Sequence, residues 1–222
     1  VETLVVVSHP EIEKSDTQQF LKASAASLSQ VVWHHLDSRL PFDVTAEQQA
    51  ITSADRLIFQ FPLYWYMAPA SLHQWLTDVW LKQFVYDARG GLLHGKSLGF
   101  VVTFSQSATA YQLGGSVGFS ISQFLTPYAA LAAKTGLTLL PPLTIAQFAN
   151  QTDFEHQQLL VRYQQYLTLD HPDRPDEQAQ WFIDRLSGNA DTQLLADQLA
   201  AQTDDIDRLR LTLHELKAGE SE

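Results

Sequence analysis

The chain has 222 residues, 45% of them hydrophobic, enough to bury one α/β-sized core and leave an appendage. Its 14 Lys and Arg against 25 Asp and Glu give a net charge of −11, which repels nucleic acid and anionic membrane surfaces and argues against both as partners. There is no cysteine, which excludes disulfides, thiolate metal sites and thiol catalysis, so redox chemistry here needs a cofactor.

Thr3-Leu4-Val5-Val6-Val7 is an apolar, β-branched run that ends in the polar loop Ser8-His9-Pro10 and reopens as a helix near Ser15 to Thr17. The pattern reads as the first strand of a parallel sheet with its C-terminal end facing a ligand. The hydroxyls of Ser8, Ser15 and Thr17, with His9 and the unsatisfied amides of a helix start, form an anion site that needs no Lys or Arg.

Gln18 to Leu28 has helical spacing, and Val31 to Leu36 suits a second strand. Thr45 and Gln48 stand at capping-box spacing for a short helix through Ala54, and Asp55 to Pro62 reads as a third strand stopped by proline. The aromatic loop Leu63-Tyr64-Trp65-Tyr66-Met67 follows, then a helix from Ala70 to Trp80. Aromatics beyond a strand end suit a flat heterocycle; core packing is the alternative, and one of Tyr64, Trp65 and Tyr66 is expected to point inward.

Val85 to Lys96, with Arg89-Gly90-Gly91, is a turn-rich connection, and Ser97 to Thr103 is the fourth strand. A hydroxyl-rich loop from Phe104 to Tyr111 comes next, then a helix to Thr135 interrupted near Pro127 and closed by Gly136. Leu137 to Leu140 and Leu143 to Ala146, on either side of Pro141-Pro142, read as a fifth strand with a bend.

Asp153 to Leu169 is an amphipathic helix, and His171-Pro172-Asp173-Arg174-Pro175 is the best linker candidate. Glu177 to Leu186 and Thr192 to Lys217 then form a helical pair, the second with a stripe that includes Leu195, Leu199, Ile206, Leu209, Leu213 and Leu216. The expected domains are residues 1–169 and a helical extension over 170–222. His34 and His35 are strand neighbours that face opposite ways, and no histidine spacing suggests a metal site. Asp204-Asp205 and Glu220 to Glu222 read as solvated charge. No window approaches the roughly 18 unbroken apolar residues of a membrane span, and the chain opens on a strand without a basic leader, so a cytoplasmic protein with no membrane insertion is expected.

Three clusters in order, Ser8-His9-Pro10 with Ser15 and Leu21, Phe61-Pro62-Leu63-Tyr64-Trp65-Tyr66 with Pro69 and Trp75, and Gly118-Phe119-Ser120 with Phe124-Leu125, Pro127 and Leu140-Pro141-Pro142, resemble the flavodoxin-like NAD(P)H:quinone oxidoreductases. The likeness covers residues 3 to 169 and is strongest to the short bacterial members, the potassium-efflux ancillary proteins among them. It implies a doubly wound five-stranded parallel sheet with helices on both faces, a homodimer, FMN rather than FAD as cofactor, and NAD(P)H as cosubstrate. His9, Ser15, Thr17 and Gln18 would then line the phosphate and ribityl region. Pro62, Leu63, Tyr64, Trp65 and Tyr66 would hold the isoalloxazine, largely through backbone N–H groups. Thr103, Phe104, Ser105 and Gln106 would close the other side, with Tyr111 as the candidate catalytic side chain. In such enzymes the flavin takes hydride at N5 and returns it to a quinone or a similar electron-poor aromatic in a two-electron ping-pong route.

Three positions depart from the family pattern. Gln18 stands where Asn is usual, Thr103-Phe104-Ser105-Gln106 replaces Thr-Thr-Gly-Gly, and Val117 occupies the place of the histidine that partners the tyrosine in animal quinone reductases. Side chains in place of loop glycines take up cofactor space unless the loop turns outward. The alternative function is therefore a flavodoxin-like regulatory or interaction protein, such as a transporter ancillary subunit, with weak or no turnover.

Overall fold

The computed structural model describes residues 1–86 and 91–219; Arg89 and Gly90 of the predicted turn and Glu220 to Glu222 lie outside the described residues. So do the side chains of Asp205, Leu213 and Leu216 in the predicted acidic pair and stripe. The chain divides into two units, Val1–Thr168 and Leu169–Glu222.

In the first unit five parallel strands lie in the order β2 (Val31–His35), β1 (Thr3–Val7), β3 (Arg56–Pro62), β4 (Ser97–Phe104), β5 (Thr138–Leu139), and β6 (Leu143–Ala146) pairs the far end of β4. The fifth strand of the sequence reading is thus two short strands on one edge, separated by Pro141-Pro142, neither of which can donate to a ladder. Both β1 and β3 are buried along their full length, as continuous apolar runs in a two-sided parallel sheet should be.

Strand alternation sorts the core into two layers. Val5, Val7, Ile58 and Val101 face one way and pack with Leu21 of α1 (Asp16–Ala25) and Tyr163 of α7 (Asp153–Thr168). Val6, Leu57, Phe59 and Phe61 face the other way, toward Leu72 and Trp75 of α3 (Ala70–Val79) and Tyr128 of α6 (Thr126–Thr135). Gly99 marks a close approach: a Cβ there would lie 2.5 Å from the Tyr166 hydroxyl oxygen, which accepts the Phe100 amide at 2.9 Å.

Several helix limits differ from those read in the sequence. α2 (Val44–Ser53) is capped by Asp43, whose Oδ1 accepts the Ala46 amide at 3.1 Å, and not by Thr45. The Gln48 side-chain Nε2 meanwhile donates to the Val79 carbonyl at 2.9 Å. A short α4 (Lys82–Val85) precedes the connection to β4, and the helix before Gly136 is split at Leu125 into α5 (Ile121–Phe124) and α6, with Pro127 tolerated in the first turn of the second. Gly136 ends α6 at φ 73°, a left-handed conformation natural to glycine.

The second unit pairs α8 (Pro175–Leu186) with α9 (Gln193–Gly219). The expected linker is fastened here: the His171 amide donates to Glu177 Oε2 at 2.8 Å, and Arg174 Nη2 bonds Asp176 Oδ2 at 2.6 Å. Among the described residues no helix is long and apolar enough to cross a membrane.

Candidate functional site

The C-terminal ends of β1, β3, β4 and β6 open onto a cavity of about 470 Å³. His9, Ser15 and Thr17 line one side, Pro62, Leu63 and Tyr64 a second, Thr103, Phe104 and Ser105 a third, and Ile145 with Gln147 to Asn150 the rest. The position is the one expected of ligand sites in open parallel sheets, and the volume falls in the range of small-molecule pockets.

At the β1 side, Ser15 is the N-cap of α1, its hydroxyl accepting the Gln18 amide at 3.3 Å. The Asp16 and Thr17 amides precede the first intrahelical bond, and with the two hydroxyls they make a dipole-favoured place for an anion. Ser8 does not contribute to it: its side chain is buried, 2.6 Å from the Ser71 hydroxyl.

His9 sits between these groups and Tyr64. Its Nδ1 accepts the Glu11 amide at 3.2 Å, which places the ring proton on Nε2, and Nε2 lies 3.4 Å from the Tyr64 hydroxyl. Burial pulls the His9 imidazole below its ordinary value, against the opposing pull of the Asp37 charge. The ring is therefore a neutral donor at neutral pH. Burial, and then the charge of Glu11, raises the Tyr64 phenol and keeps it protonated.

Gln18 departs from its expected place. Its side chain is buried under the cavity, its Oε1 accepting from Gln60 Nε2 at 2.6 Å while Gln60 Oε1 accepts the Tyr163 hydroxyl at 2.8 Å. The extra methylene of glutamine carries the amide past the cavity to β3. Gln18 Nε2 is left buried without a hydrogen bond among the described residues.

The aromatic loop also departs from expectation, since none of its three rings points into the core. Tyr64 and Tyr66 are 45% and 42% exposed and Trp65 is 88% exposed. The Leu63 amide already donates to the Thr103 carbonyl, and the Tyr64 amide to the Met67 carbonyl, so neither is available to a ligand. Trp65 and Tyr66 stand in left-handed backbone, at φ 48° and 66°, and their amides make no hydrogen bond among the described residues. Neither residue lines the cavity; the Tyr66 ring stacks on Phe124 at 5.1 Å.

The loop after β4 is compatible with a ligand despite its missing glycines. Phe104 ends β4 opposite Ala146, its carbonyl accepting the Gln147 amide, and its ring packs 4.7 Å from Tyr111. Ser105 and Gln106 are exposed, and of these two only Ser105 borders the cavity. Tyr111 stands behind Phe104, buried, its phenol raised by burial and then by Tyr66; it does not line the cavity, and neither does Gln106.

Two sets of residues at the site were not read as site residues from the sequence. Gln147, in left-handed backbone at φ 47°, turns the chain after β6 so that Phe148, Ala149 and Asn150 border the cavity, and the Phe148 ring packs, tilted, against Phe20 and His156 at 5.3 and 4.4 Å. The second set is His35, Asp37 and Ser71, which hold the His9 loop from β2, the turn after it and α3. Only the His-x-Asp spacing behind a strand hinted at it.

A profile of the family described as Flavodoxin-like fold matches residues 2–167. The uncharacterized NAD(P)H oxidoreductase YdeQ of Bacillus subtilis (strain 168) is 34% identical over 171 residues, which span 76% of this chain and 87% of that one. Among solved structures, an NADPH-quinone reductase from P. pentosaceus superposes with a TM-score of 0.73 at 41% identity, covering 76% of this chain and 99% of its own. General stress protein 14 of Treponema denticola, solved in complex with FMN, gives 0.68 at 28% identity over 75% of this chain and 98% of its own.

Proposed function

The chain belongs to the flavodoxin-like fold family, and on that premise we propose that it is an FMN-dependent oxidoreductase passing two electrons from NAD(P)H to a quinone or a similar electron-poor aromatic. The observation that carries the proposal is the make-up of the cavity. Hydroxyls and helix amides without a cation gather at the α1 end and ring edges at the β3 and β4 end, the donor set a phosphorylated flat heterocycle requires. Ser105 and Gln106, which replace the family glycines, are both exposed, and only Ser105 borders the cavity, so they leave room within it.

The flavin, when bound, supplies the hydride chemistry; the protein supplies binding, orientation and electrostatics. Ser15, Thr17 and the first turn of α1 hold the phosphate. The neutral His9 Nε2–H donates to the Tyr64 oxygen, which leaves the protonated Tyr64 hydroxyl free to donate a hydrogen bond where negative charge accumulates. The amides of Trp65 and Tyr66, which make no hydrogen bond among the described residues, are further donors at the open side. Tyr111, one ring behind the wall, supports Phe104 and does not exchange a proton with a substrate. In this reading the site belongs to residues 1–169 of a cytoplasmic homodimer.

The test is a visible absorption spectrum of the purified protein after incubation with FMN and gel filtration, followed by NADH and NADPH oxidation with menadione as acceptor. Retained bands near about 370 and 450 nm together with turnover are expected. A colourless protein that stays free of flavin overturns the proposal in favour of a regulatory or interaction role.

A further inference from the structure

The His9 peptide is unusual in how its two polar atoms are satisfied. It lies in the loop that leaves β1, and side chains from another segment bond to both its amide and its carbonyl. The amide donates to Asp37 Oδ2 at 2.9 Å, and the carbonyl lies 2.9 Å from His35 Nε2. The same Asp37 oxygen accepts the Ser71 hydroxyl at 2.8 Å, and Ser71 in turn lies 2.6 Å from the Ser8 hydroxyl. His35 Nε2 stands 3.6 Å from that oxygen as well. One carboxylate oxygen thus ties together the chain segments that follow β1 and β2 and the first turn of α3.

We propose that Asp37 is the positioning residue of the site: through the His9 amide, with Ser71 and His35 as braces, it fixes the loop so that the imidazole accepts from Glu11 at Nδ1 and turns Nε2–H toward the Tyr64 hydroxyl at the cavity wall. The inference rests on the flavin-site reading for its consequence, but its geometry does not. An imidazole is a donor at one nitrogen and an acceptor at the other, and the tautomer follows whichever hydrogen bond the loop conformation offers. In this loop that bond runs from the Glu11 amide, two residues on, and it forms only while the intervening backbone is held. Without Asp37 the His9 amide keeps no hydrogen-bond partner among the described residues, and the carbonyl is held by His35 alone. Asp37 touches neither substrate nor cofactor in this arrangement and does not line the cavity.

Full-length Asp37→Ala, Asp37→Asn and Ser71→Ala proteins separate this role from general stability. The first readout is the His9 ring by nitrogen NMR, in protein without flavin. Wild type, S71A and D37N, whose amide oxygen still accepts from His9 and Ser71, show a single Nε2–H tautomer. D37A shows a mixture. The second readout is FMN affinity by fluorescence quenching. D37A binds about tenfold more weakly, D37N stays within about threefold of wild type, and the H9A/D37A double variant is no weaker than H9A alone, because the two act as one unit. An unchanged His9 tautomer in D37A, or additive losses in the double variant, overturns the proposal. If wild type binds no FMN, the flavin reading fails alone, and the tautomer readout still decides the role of Asp37.

Discussion

The two long walls of the cavity are built in different ways. On the β1 side the His9 loop is held by side chains from two other segments, and beneath it a buried chain from Tyr163 through Gln60 to Gln18 links α7, β3 and α1. On the opposite side the backbone of the Tyr64–Met67 turn bonds only within the turn among the described residues, with Trp65 and Tyr66 in left-handed backbone and their rings outside the core. The first wall is pre-organised and loses little entropy when a ligand arrives; the second offers aromatic area on a strained tip that few contacts restrain. A cofactor that must stay needs the first kind of wall, and acceptors that come and go are served by the second.

The largest expected effect lies at the bottom of the rigid wall. Gln60→Leu removes the acceptor of the Tyr163 hydroxyl and the donor to Gln18 together, leaving two polar groups unpaired in a dry site. The expected loss is about 3 kcal/mol in urea unfolding. Tyr163→Phe orphans only the Gln60 oxygen and should cost about 1–2 kcal/mol. A Q60L protein within about 0.5 kcal/mol of wild type would erase the contrast between the walls.

Next in size is the pH dependence contributed by His9. Its folded-state value is lowered from 6.5, so below that pH the unfolded chain takes up a proton that the folded chain resists. The stability associated with neutral His9 is therefore fully present above pH 6.5 and is lost as the pH falls from there through the lowered folded-state value. Stability measured at intervals through that window should decline more steeply in wild type than in His9→Gln. Parallel profiles would show that the loop accepts the charged ring as readily as water does.

Much of this was legible in local sequence, for reasons that also explain the rest. β1 and β3 declare themselves because a strand buried on both faces must be apolar throughout, and the Ser15 cap follows from a hydroxyl before a helical pattern. The capping-box spacing pointed to Thr45, but Asp43, two residues earlier, takes the α2 cap, and the Gln48 side chain reaches the Val79 carbonyl instead. The Asp37 clamp was hidden because its partners stand 28 and 34 residues away and meet only when three strands align. Gln18 resembled a shifted cofactor ligand, yet one methylene carried its amide to β3. The Gln147 turn escaped notice because a non-glycine residue in left-handed backbone leaves no compositional trace.

The smallest effect on stability is expected at Trp65, where the open wall is most exposed to test. Trp65→Gly removes a side chain that is 88% exposed, so little buried area is lost, and it relieves a backbone at φ 48° that a side chain adopts only at a cost. Glycine's greater freedom in the unfolded chain offsets part of that relief, and the net change should lie within about 0.5 kcal/mol of zero by urea unfolding. Removing the ring should instead weaken the apparent affinity for an aromatic acceptor several-fold while FMN stays bound, because the anion end and the His9 wall are untouched. If W65G loses 2 kcal/mol or more, the Tyr64–Met67 turn is as firmly built as the wall it faces, and the division between a fixed side and an adaptable side fails.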